Sequence, residues 1–216
     1  MTRKTSTVVA IAIAIVAVIA GMLLSRALLH RAESSQALLT TGTLLEPARA
    51  LAPFALTDHE GRPFDNQALQ GQWTFLFFGF TNCPDVCPTT MRMLAQVEQS
   101  LSNLPAALRP QVVLVSVDPK RDTPAQLATY VKYFNPSFAG VTGDQASLDA
   151  FTRKIGVPVA ISETGDGGYT VDHSAAIFLI DPNGRMRALF SPPHAPAAIA
   201  ADYRRVVNAT DDNSDG

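Results

Sequence analysis

The sequence predicts an α/β domain in which a central mixed sheet is flanked by helices. Strand and helix patterns alternate over residues 52–207, a normal length for one domain. Residues 73–80 and 111–117 are almost continuously apolar, as in central strands that are buried on both faces. The segments between and after them have apolar residues at helical spacing. This alternation is typical of a sheet covered by helices.

Turn and capping signals predict the remaining elements. Thr123-Pro-Ala-Gln126 is a capping box with proline at the first helical position, and Asp144 is a predicted N-cap. Asp181-Pro-Asn-Gly184 is a predicted turn between two strands. The expected elements are a hairpin at 54–64, strands at 175–180 and 185–190, and helices at 88–104, 123–134, 144–155 and 195–207. Strand–helix–strand, then a hairpin and a final helix, is the thioredoxin-like arrangement.

The N-terminal part is predicted to be a membrane anchor. Residues 8–24 contain no charged or strongly polar side chain, and a helix of this length is just sufficient to cross a bilayer. A cleavable signal peptide is the alternative, with Val18-Ile19-Ala20 as the cleavage site, although the apolar run continues past it. We expect an uncleaved transmembrane helix at about 8–24 within an anchor of residues 1–31. Either interpretation exports the rest of the chain.

The exported part is expected to comprise a tether at 32–51, the domain at 52–207 and a disordered acidic tail at 208–216. The expected location is the bacterial inner membrane, with a single pass and the soluble domain in the periplasm. Four of the 17 basic residues and none of the 19 acidic residues lie in the first 31 positions, so the exported part is acidic. A nucleic-acid-binding protein would show a basic face, so we exclude nucleic acid as a partner.

Two cysteines form the most informative motif. Cys83 and Cys87 lie in Phe80-Thr-Asn-Cys-Pro-Asp-Val-Cys-Pro88, where a buried strand turns into a helix. A helix N-terminus favours the thiolate, so we expect lowered thiol pKa values. Three residues separate the cysteines, one more than in thioredoxin-type oxidoreductases. Helical i and i+4 positions, with Cβ atoms about 5–6 Å apart, suit one shared metal ion. If the helix begins at Pro88, the turn can also close a disulfide.

A third ligand is expected from the histidines. His173 precedes a strand of the last hairpin, and in a thioredoxin fold that loop packs beside the helix that follows the cysteines. His59 and His194 are predicted to be surface residues. Two cysteines and His173 form a soft ligand set that suits Cu(I) and can also hold Cu(II). The sequence offers no fourth ligand for structural zinc and too few cysteines for an iron–sulfur cluster.

Three further residues lie near the cysteine motif in the predicted structure. Met91 and Met93 are at helical spacing and are predicted to fill the core. Asp118 ends a predicted strand at the same edge as the cysteines. Asp118 has two possible roles. It could act at the site, by orienting a ligand or contacting a partner, or it could simply form the turn before the next helix.

The chain resembles the Sco/SenC family of copper chaperones for cytochrome c oxidase assembly. The resemblance rests on Phe78-Gly-Phe-Thr-Asn-Cys-Pro-Asp-Val-Cys-Pro88, Ser116-Val-Asp-Pro-Lys-Arg-Asp-Thr-Pro124, Val171-Asp-His-Ser174 and Asp181-Pro-Asn-Gly184, in that order. It implies a thioredoxin-like fold with Cys83, Cys87 and His173 as copper ligands. It also implies delivery of copper to the dinuclear centre of cytochrome c oxidase subunit II, or reduction of that centre's cysteines. Further expected partners are another periplasmic copper carrier or a thioredoxin-like reductant.

The alternative function is thiol chemistry. A thiol-disulfide oxidoreductase would use the same Cys83 and Cys87 pair, and the sequence leaves this open. Val86-Cys-Pro-Thr89 is similar to the peroxiredoxin motif, but Pro84 stands where that family has a threonine, which argues against a thiol peroxidase. A passive interaction domain would leave the Cys–Cys–His set unexplained.

Overall fold

The computed structural model describes residues 14–15, 17–23, 25, 39–165 and 167–211. The chain divides into two compact units, Met1–Leu38 and Leu39–Gly216. The described residues of the first unit are helical. Among all described residues, no helix combines the length and the apolarity that crossing a bilayer requires. Much of the predicted anchor at about 8–24, and residues 32–38 of the predicted tether, lie outside the described residues.

The second unit contains a mixed sheet and a separate pair of strands. The strands are β1 (Gly42–Ala50), β2 (Ala55–Asp58), β3 (Pro63–Asp65), β4 (Thr74–Gly79), β5 (Gln111–Ser116), β6 (Ala139–Thr142), β7 (Val159–Glu163), β8 (Tyr169–His173), β9 (Ile177–Ile180) and β10 (Arg185–Phe190). Eight strands form the mixed sheet in the order β1-β10-β9-β4-β5-β6-β2-β3, and β7 and β8 form the antiparallel pair. The helices are α1 (Val86–Ser100), α2 (Pro124–Phe134), α3 (Gln145–Ile155) and α4 (Pro196–Asp211).

The centre of the sheet consists of the two apolar runs in the sequence. All six residues of β4 are buried, as are five of the six in β5. The two strands are parallel, and their register runs from Thr74 opposite Gln111 to Gly79 opposite Ser116. Their carboxyl ends therefore meet at one edge, where the loop after β4 and the loop after β5 lie side by side.

The helices follow the capping signals. At the start of α2, the Thr123 side chain accepts a hydrogen bond from the Gln126 backbone and the Gln126 side chain accepts one in return, so the predicted capping box is confirmed. Asp144 caps α3 as predicted. Gly156 ends α3 in the left-handed conformation that glycine adopts without strain. In α1 the buried residues Met91, Leu94 and Val97 face the core.

Two differences from the sequence prediction concern the ends of the domain. Strand β1 lies inside the predicted tether and pairs with β10 at the sheet edge. It was missed because most of its residues are exposed or half-buried and its register shifts between Leu44 and Arg49. Helix α4 continues to Asp211, so residues 208–211 of the predicted disordered tail are helical. Residues 212–216 lie outside the described residues.

Candidate metal centre

The two cysteines lie where β4 leads into α1. Cys83 is in the turn, where its N–H donates to the Phe80 carbonyl at 3.3 Å. The helix begins at Val86 rather than at Pro88, so Cys87 belongs to its first turn. The Cys87 N–H donates to Sγ of Cys83 at 3.4 Å. Both cysteines are free thiols; Cys87 is fully buried, whereas 9% of Cys83 is exposed.

His173 completes a group of three potential ligands. Its Nε2 is 3.2 Å from Sγ of Cys87. The ligand atoms of Cys83, Cys87 and His173 all lie within 4.8 Å of one another, and no other group of three or more such residues occurs among those described. His173 is the last residue of β8, not part of a loop as predicted. The structure therefore brings the predicted histidine next to the cysteines, but on a strand rather than in a loop.

The imidazole of His173 is oriented by its second nitrogen. Nδ1 lies 3.0 Å from the Ser174 carbonyl, which can only accept, so Nδ1 carries the proton and Nε2 presents its lone pair toward the thiols. The rings of Phe77 and Phe80 meet the imidazole edge to face, with centroids 6.1 and 5.8 Å away. Burial lowers the pKa of His173, against an opposing effect of its hydrogen bond to Ser174. The neutral ring, which is the form that binds metals, is therefore favoured.

The pKa of Cys87 differs from the expectation of an activated thiol. Burial raises the pKa of Cys87 well above its ordinary value, although a backbone hydrogen bond at Phe80 acts in the opposite direction. Desolvation therefore outweighs the favourable hydrogen bond, and the pKa is not lowered as expected from the sequence. A thiol that is fully buried and protonated at neutral pH is a poor nucleophile. This finding argues against peroxide reduction at Cys87.

The backbone behind Cys87 leaves no spare space. A Cβ atom at Gly79 would lie 3.0 Å from Sγ of Cys87 and 3.1 Å from side-chain atoms of both Phe77 and Leu114. Gly79 is the last residue of β4 and is buried. The absence of a side chain at this position therefore allows Cys87 to pack directly against the central strand.

The loop after β5 supports the cysteine turn. Asp122 is 1% exposed and accepts hydrogen bonds from the Thr81 backbone at 3.0 Å, the Thr81 hydroxyl at 2.5 Å and the Ser116 hydroxyl at 2.6 Å. These bonds tie the turn that contains Cys83 to the end of β5. Sequence reasoning missed Asp122. The parallel pairing of β4 and β5 was the available signal, since it places the residues that follow the two strands together.

Asp118 both forms a turn and positions another residue. Its carbonyl accepts a hydrogen bond from the Asp122 N–H at 2.9 Å, which agrees with the turn predicted at this position. Its buried carboxylate accepts from the Tyr169 hydroxyl at 2.7 Å and is paired with Arg121. Tyr169 begins β8, the strand that ends at His173. Asp118 thus contacts the element that carries the histidine, and sequence reasoning missed both Arg121 and Tyr169.

The remaining candidate side chains, two histidines and two methionines, lie outside the ligand group. His59 is half-buried, with Nδ1 accepting from the Gly140 N–H at 3.1 Å. His194 is half-buried, with Nε2 2.8 Å from the Ala175 carbonyl. Neither is the freely exposed surface residue that was predicted. Met91 and Met93 are buried in the core, as predicted.

The donor set fits a soft metal ion. Two sulfur atoms and one imidazole nitrogen are ligands that suit Cu(I), and three donors are too few for structural zinc. A cleft of about 300 Å³ lies against this group. Its lining comprises Phe80, Cys83, Pro84, Asp85, Val86, Thr170, Val171, Asp172 and His173. An incoming ligand would therefore reach the centre beside Cys83 and His173, whereas Cys87 lies behind them.

Known proteins are similar to this chain in sequence and in fold. A family model described as SCO1/SenC matches residues 43–208. A putative copper-binding protein from Stutzerimonas stutzeri is 40% identical over 152 residues, 69% of this chain and 73% of that protein. Copper-bound ScoI from Bradyrhizobium japonicum is 37% identical with a TM-score of 0.65, over 73% of this chain and 99% of that one.

A second copper-bound structure gives the same result. ScoI from Arabidopsis thaliana is 31% identical with a TM-score of 0.68, over 73% of this chain and 98% of that one. These similarities confirm the thioredoxin-like α/β fold with its central mixed sheet. The family match spans more than half of the chain and includes every strand from β2 to β10. The chain therefore belongs to the SCO1/SenC family.

Proposed function

We propose that this protein binds one copper ion through Sγ of Cys83, Sγ of Cys87 and Nε2 of His173, and that it acts in the assembly of cytochrome c oxidase. The observation that carries the proposal is the convergence of these three donor atoms within 4.8 Å at the end of the central strand. Similarity to copper-bound ScoI structures supports copper as the ion. Copper is the cargo of such a protein, and Cu(I) is the state that the donor set suits best, although it can also hold Cu(II).

The three side chains would contribute differently to binding. His173 is held with Nε2 unprotonated by its contact with Ser174, so it needs no proton loss. Cys87 has a raised pKa and must release its proton when the ion binds. Cys83 and His173 both line the cleft, so they are the ligands that an approaching partner would meet before Cys87. A set of three protein ligands also leaves room for a ligand from the partner, which permits transfer by ligand exchange.

The proposed recipient is the dinuclear copper centre of cytochrome c oxidase subunit II. We further propose that the protein is anchored in the bacterial inner membrane with its domain in the periplasm. This location is supported by the uncharged run at residues 8–24, and by Arg3 and Lys4 before it, which favour a cytoplasmic N-terminus. The acidic composition of the remainder suits a positively charged cargo.

A second candidate function is reduction of the recipient's cysteines. It is favoured by the proximity of the two thiols, since the Cys87 N–H donates to Sγ of Cys83 at 3.4 Å. Two sulfur atoms within 4.8 Å need only a small movement to form a disulfide. In that reaction the pair would be oxidised to a disulfide while one disulfide of the partner is reduced to two thiols.

A transfer experiment separates the two functions. The full chain, loaded with Cu(I), is mixed with the copper-free soluble domain of subunit II, whose two cysteines are prepared either reduced or as a disulfide. A chaperone should transfer copper to the reduced domain, and His173→Ala should abolish the transfer. If the copper-free protein reduces the disulfide form equally well with and without His173, and no copper moves, the protein is a reductase.

A further inference from the structure

The hairpin that carries His173 is separate from the main sheet. Strands β7 and β8 pair only with each other among the described strands, from Val159 opposite His173 to Glu163 opposite Tyr169. Residues 160–163 of β7 are exposed, and Val171 is the only fully buried residue of β8. The position of His173 relative to the cysteines therefore depends on a small number of contacts that β8 makes with the rest of the domain.

Asp118, Arg121 and Tyr169 provide such contacts and are here called the clasp. The Tyr169 hydroxyl donates to Oδ1 of Asp118 at 2.7 Å. Nη1 of Arg121 donates to the Tyr169 carbonyl at 3.1 Å, and the guanidinium lies 3.9 Å from the centre of the Tyr169 ring. Nε of Arg121 also donates to Oδ2 of Asp118. Tyr169 is thus held at its hydroxyl, its ring and its backbone.

Asp118 and Arg121 belong to the part of the domain that also positions the cysteines. Asp118 is 3% exposed, and its N–H donates to the Ser116 hydroxyl at 3.1 Å. Ser116 lies opposite Gly79, the residue against which Cys87 packs. The Arg121 guanidinium is also 5.6 Å from the ring of Phe80, which contacts His173 edge to face. The clasp therefore connects the residues around the cysteines to Tyr169, the first residue of the strand that ends at His173.

Strand β8 links the fixed position of Tyr169 to the position of His173. Tyr169 and His173 are four residues apart, which corresponds to about 13 Å along an extended strand. Residues at even separation face the same side of a strand, so both side chains point to the same side of the hairpin. His173 lies at the base of the hairpin, close to where β8 leads into β9, whereas Tyr169 lies at the far end beside the turn. Fixing Tyr169 therefore holds the far end of β8 and opposes a twist of the strand that would turn the imidazole of His173 away from Cys87.

We propose that Asp118, Arg121 and Tyr169 are positioning residues that set the copper affinity by holding His173 against the cysteine pair. None of them is a ligand in this proposal, which rests on the proposed copper site of Cys83, Cys87 and His173. Loss of the clasp leaves the two thiols in place and reduces the contribution of the histidine. The maximal loss of affinity is therefore the loss caused by removing His173 itself.

The test is a double-mutant cycle in the full chain. Cu(I) affinity is measured by competition with a chromophoric chelator for the parent, Tyr169→Phe, His173→Ala and the double variant. Tyr169→Phe deletes only the hydroxyl that donates to a carboxylate, and we expect about 10-fold weaker binding from the loss of such a bond. In the His173→Ala background the same change should have no further effect, because the clasp acts only through His173.

Hydrogen exchange of the metal-free protein supplies a second readout. Tyr169→Phe and Arg121→Lys should increase amide exchange in β8 without increasing it in α1. Lysine keeps the charge but cannot reproduce both directional hydrogen bonds and the stacking of arginine. Tyr133→Phe is the matched control, because Tyr133 is 79% exposed and lies outside the clasp. It should change neither copper affinity nor exchange.

The outcomes distinguish the clasp from the copper site. Equal weakening by Tyr169→Phe in the parent and in His173→Ala would mean a general effect on the fold and would overturn the proposal. Unchanged affinity and unchanged exchange in Tyr169→Phe would also overturn it. If His173→Ala binds copper as tightly as the parent, the ligand set itself is wrong. That result would refute the proposed site and, with it, the effect of the clasp on copper affinity. Increased exchange of β8 in Tyr169→Phe would then show a structural role of the clasp alone.

Discussion

Nε2 of His173 lies 3.2 Å from Sγ of Cys87, although the two residues are 86 positions apart in the chain. Cys87 is fixed by the central strand and by the first turn of α1. His173 arrives from a hairpin outside the main sheet. The candidate centre is therefore assembled from two parts: the cysteines, held by the central sheet and α1, and His173, held by a separate hairpin. Changes to each part should affect metal binding in different ways.

Gly79→Ala should disturb the part that contains the cysteines. The new Cβ atom would lie 3.0 Å from Sγ of Cys87 and 3.1 Å from Leu114, so the thiol or the strand must shift. We expect weaker Cu(I) binding together with a loss of about 1–3 kcal/mol in the free energy of unfolding. Competition with a chelator and denaturant unfolding measure the two quantities. Gly165→Ala is the control, because no atom lies within 4 Å of its Cβ position. Parent-like binding in Gly79→Ala would show that the close packing is unimportant.

The raised pKa of Cys87 should make the metal-free, reduced protein less stable in alkali. Burial keeps the thiol protonated in the folded state, whereas an unfolded cysteine ionises at about pH 8.5. The unfolded state therefore binds fewer protons above that pH, and stability falls by up to about 1.4 kcal/mol per pH unit. Free energies of unfolding between pH 7 and 9.5 check this. The same series with Cys87→Ala should show a smaller slope, and an identical slope would exclude Cys87 as its source.

Thiol alkylation should distinguish the two cysteines. Cys83 is 9% exposed and lines the cleft, whereas Cys87 is fully buried and has a raised pKa. In the reduced, metal-free chain, iodoacetamide at pH 7.5 should modify Cys83 first, and Cys87 should react only slowly. Peptide mass spectrometry over a time course identifies the modified residue. Faster modification of Cys87 would contradict the burial and protonation described for it.

Asp202 should contribute to the stability of the fold without affecting the copper affinity. This fully buried carboxylate of α4 accepts hydrogen bonds from the backbone N–H groups of Thr40, Thr41 and Gly42 at 2.7, 2.8 and 3.1 Å, and Arg205 pairs with it. It thereby fixes the start of β1. Asp202→Asn should lower the free energy of unfolding by about 1.5–3 kcal/mol, because hydrogen bonds to a charged group are lost. Copper affinity should stay unchanged, since Asp202 contacts none of the proposed ligands.

The same residue predicts a loss of stability in acid. Burial alone would raise the pKa of Asp202, but the backbone hydrogen bonds from Thr40, Thr41 and Gly42 outweigh it and hold the pKa below its ordinary value. A lowered folded-state pKa contributes stability above about pH 3.9, and this contribution disappears as the pH falls through the folded value. Unfolding measured from pH 6 to 3 should therefore depend less on pH in Asp202→Asn than in the parent. Equal pH dependence would contradict this assignment.

The sequence predicted those elements whose burial follows from local composition. β4 and β5 are continuous apolar runs, and α2 and α3 begin with capping residues, so their positions were found to within a few residues. β1 and the β7–β8 hairpin were missed because most of their residues are exposed or half-buried and show no simple alternation. Their pairing depends on contacts with distant parts of the chain.

The proximity of the candidate ligands was predictable, but their protonation was not. The spacing after a buried strand singled out Cys83 and Cys87, the order of elements in a thioredoxin-like fold singled out His173, and the structure brings their ligand atoms within 4.8 Å of one another. The raised pKa of Cys87 was not predictable, because it depends on how completely the tertiary structure excludes water. Arg121 and Tyr169 were missed for a related reason: their contact joins the loop after β5 to the first residue of β8, 48 residues away.

Cu(I) titration of the reduced full chain under anaerobic conditions tests the central claim most directly. The parent is compared with Cys83→Ser, Cys87→Ser and His173→Ala, and folding of each variant is checked by unfolding. The account predicts one tightly bound copper ion per chain, with binding weakened or lost in all three variants. Binding of copper by His173→Ala with the affinity of the parent, or the absence of copper binding by the parent, would contradict it.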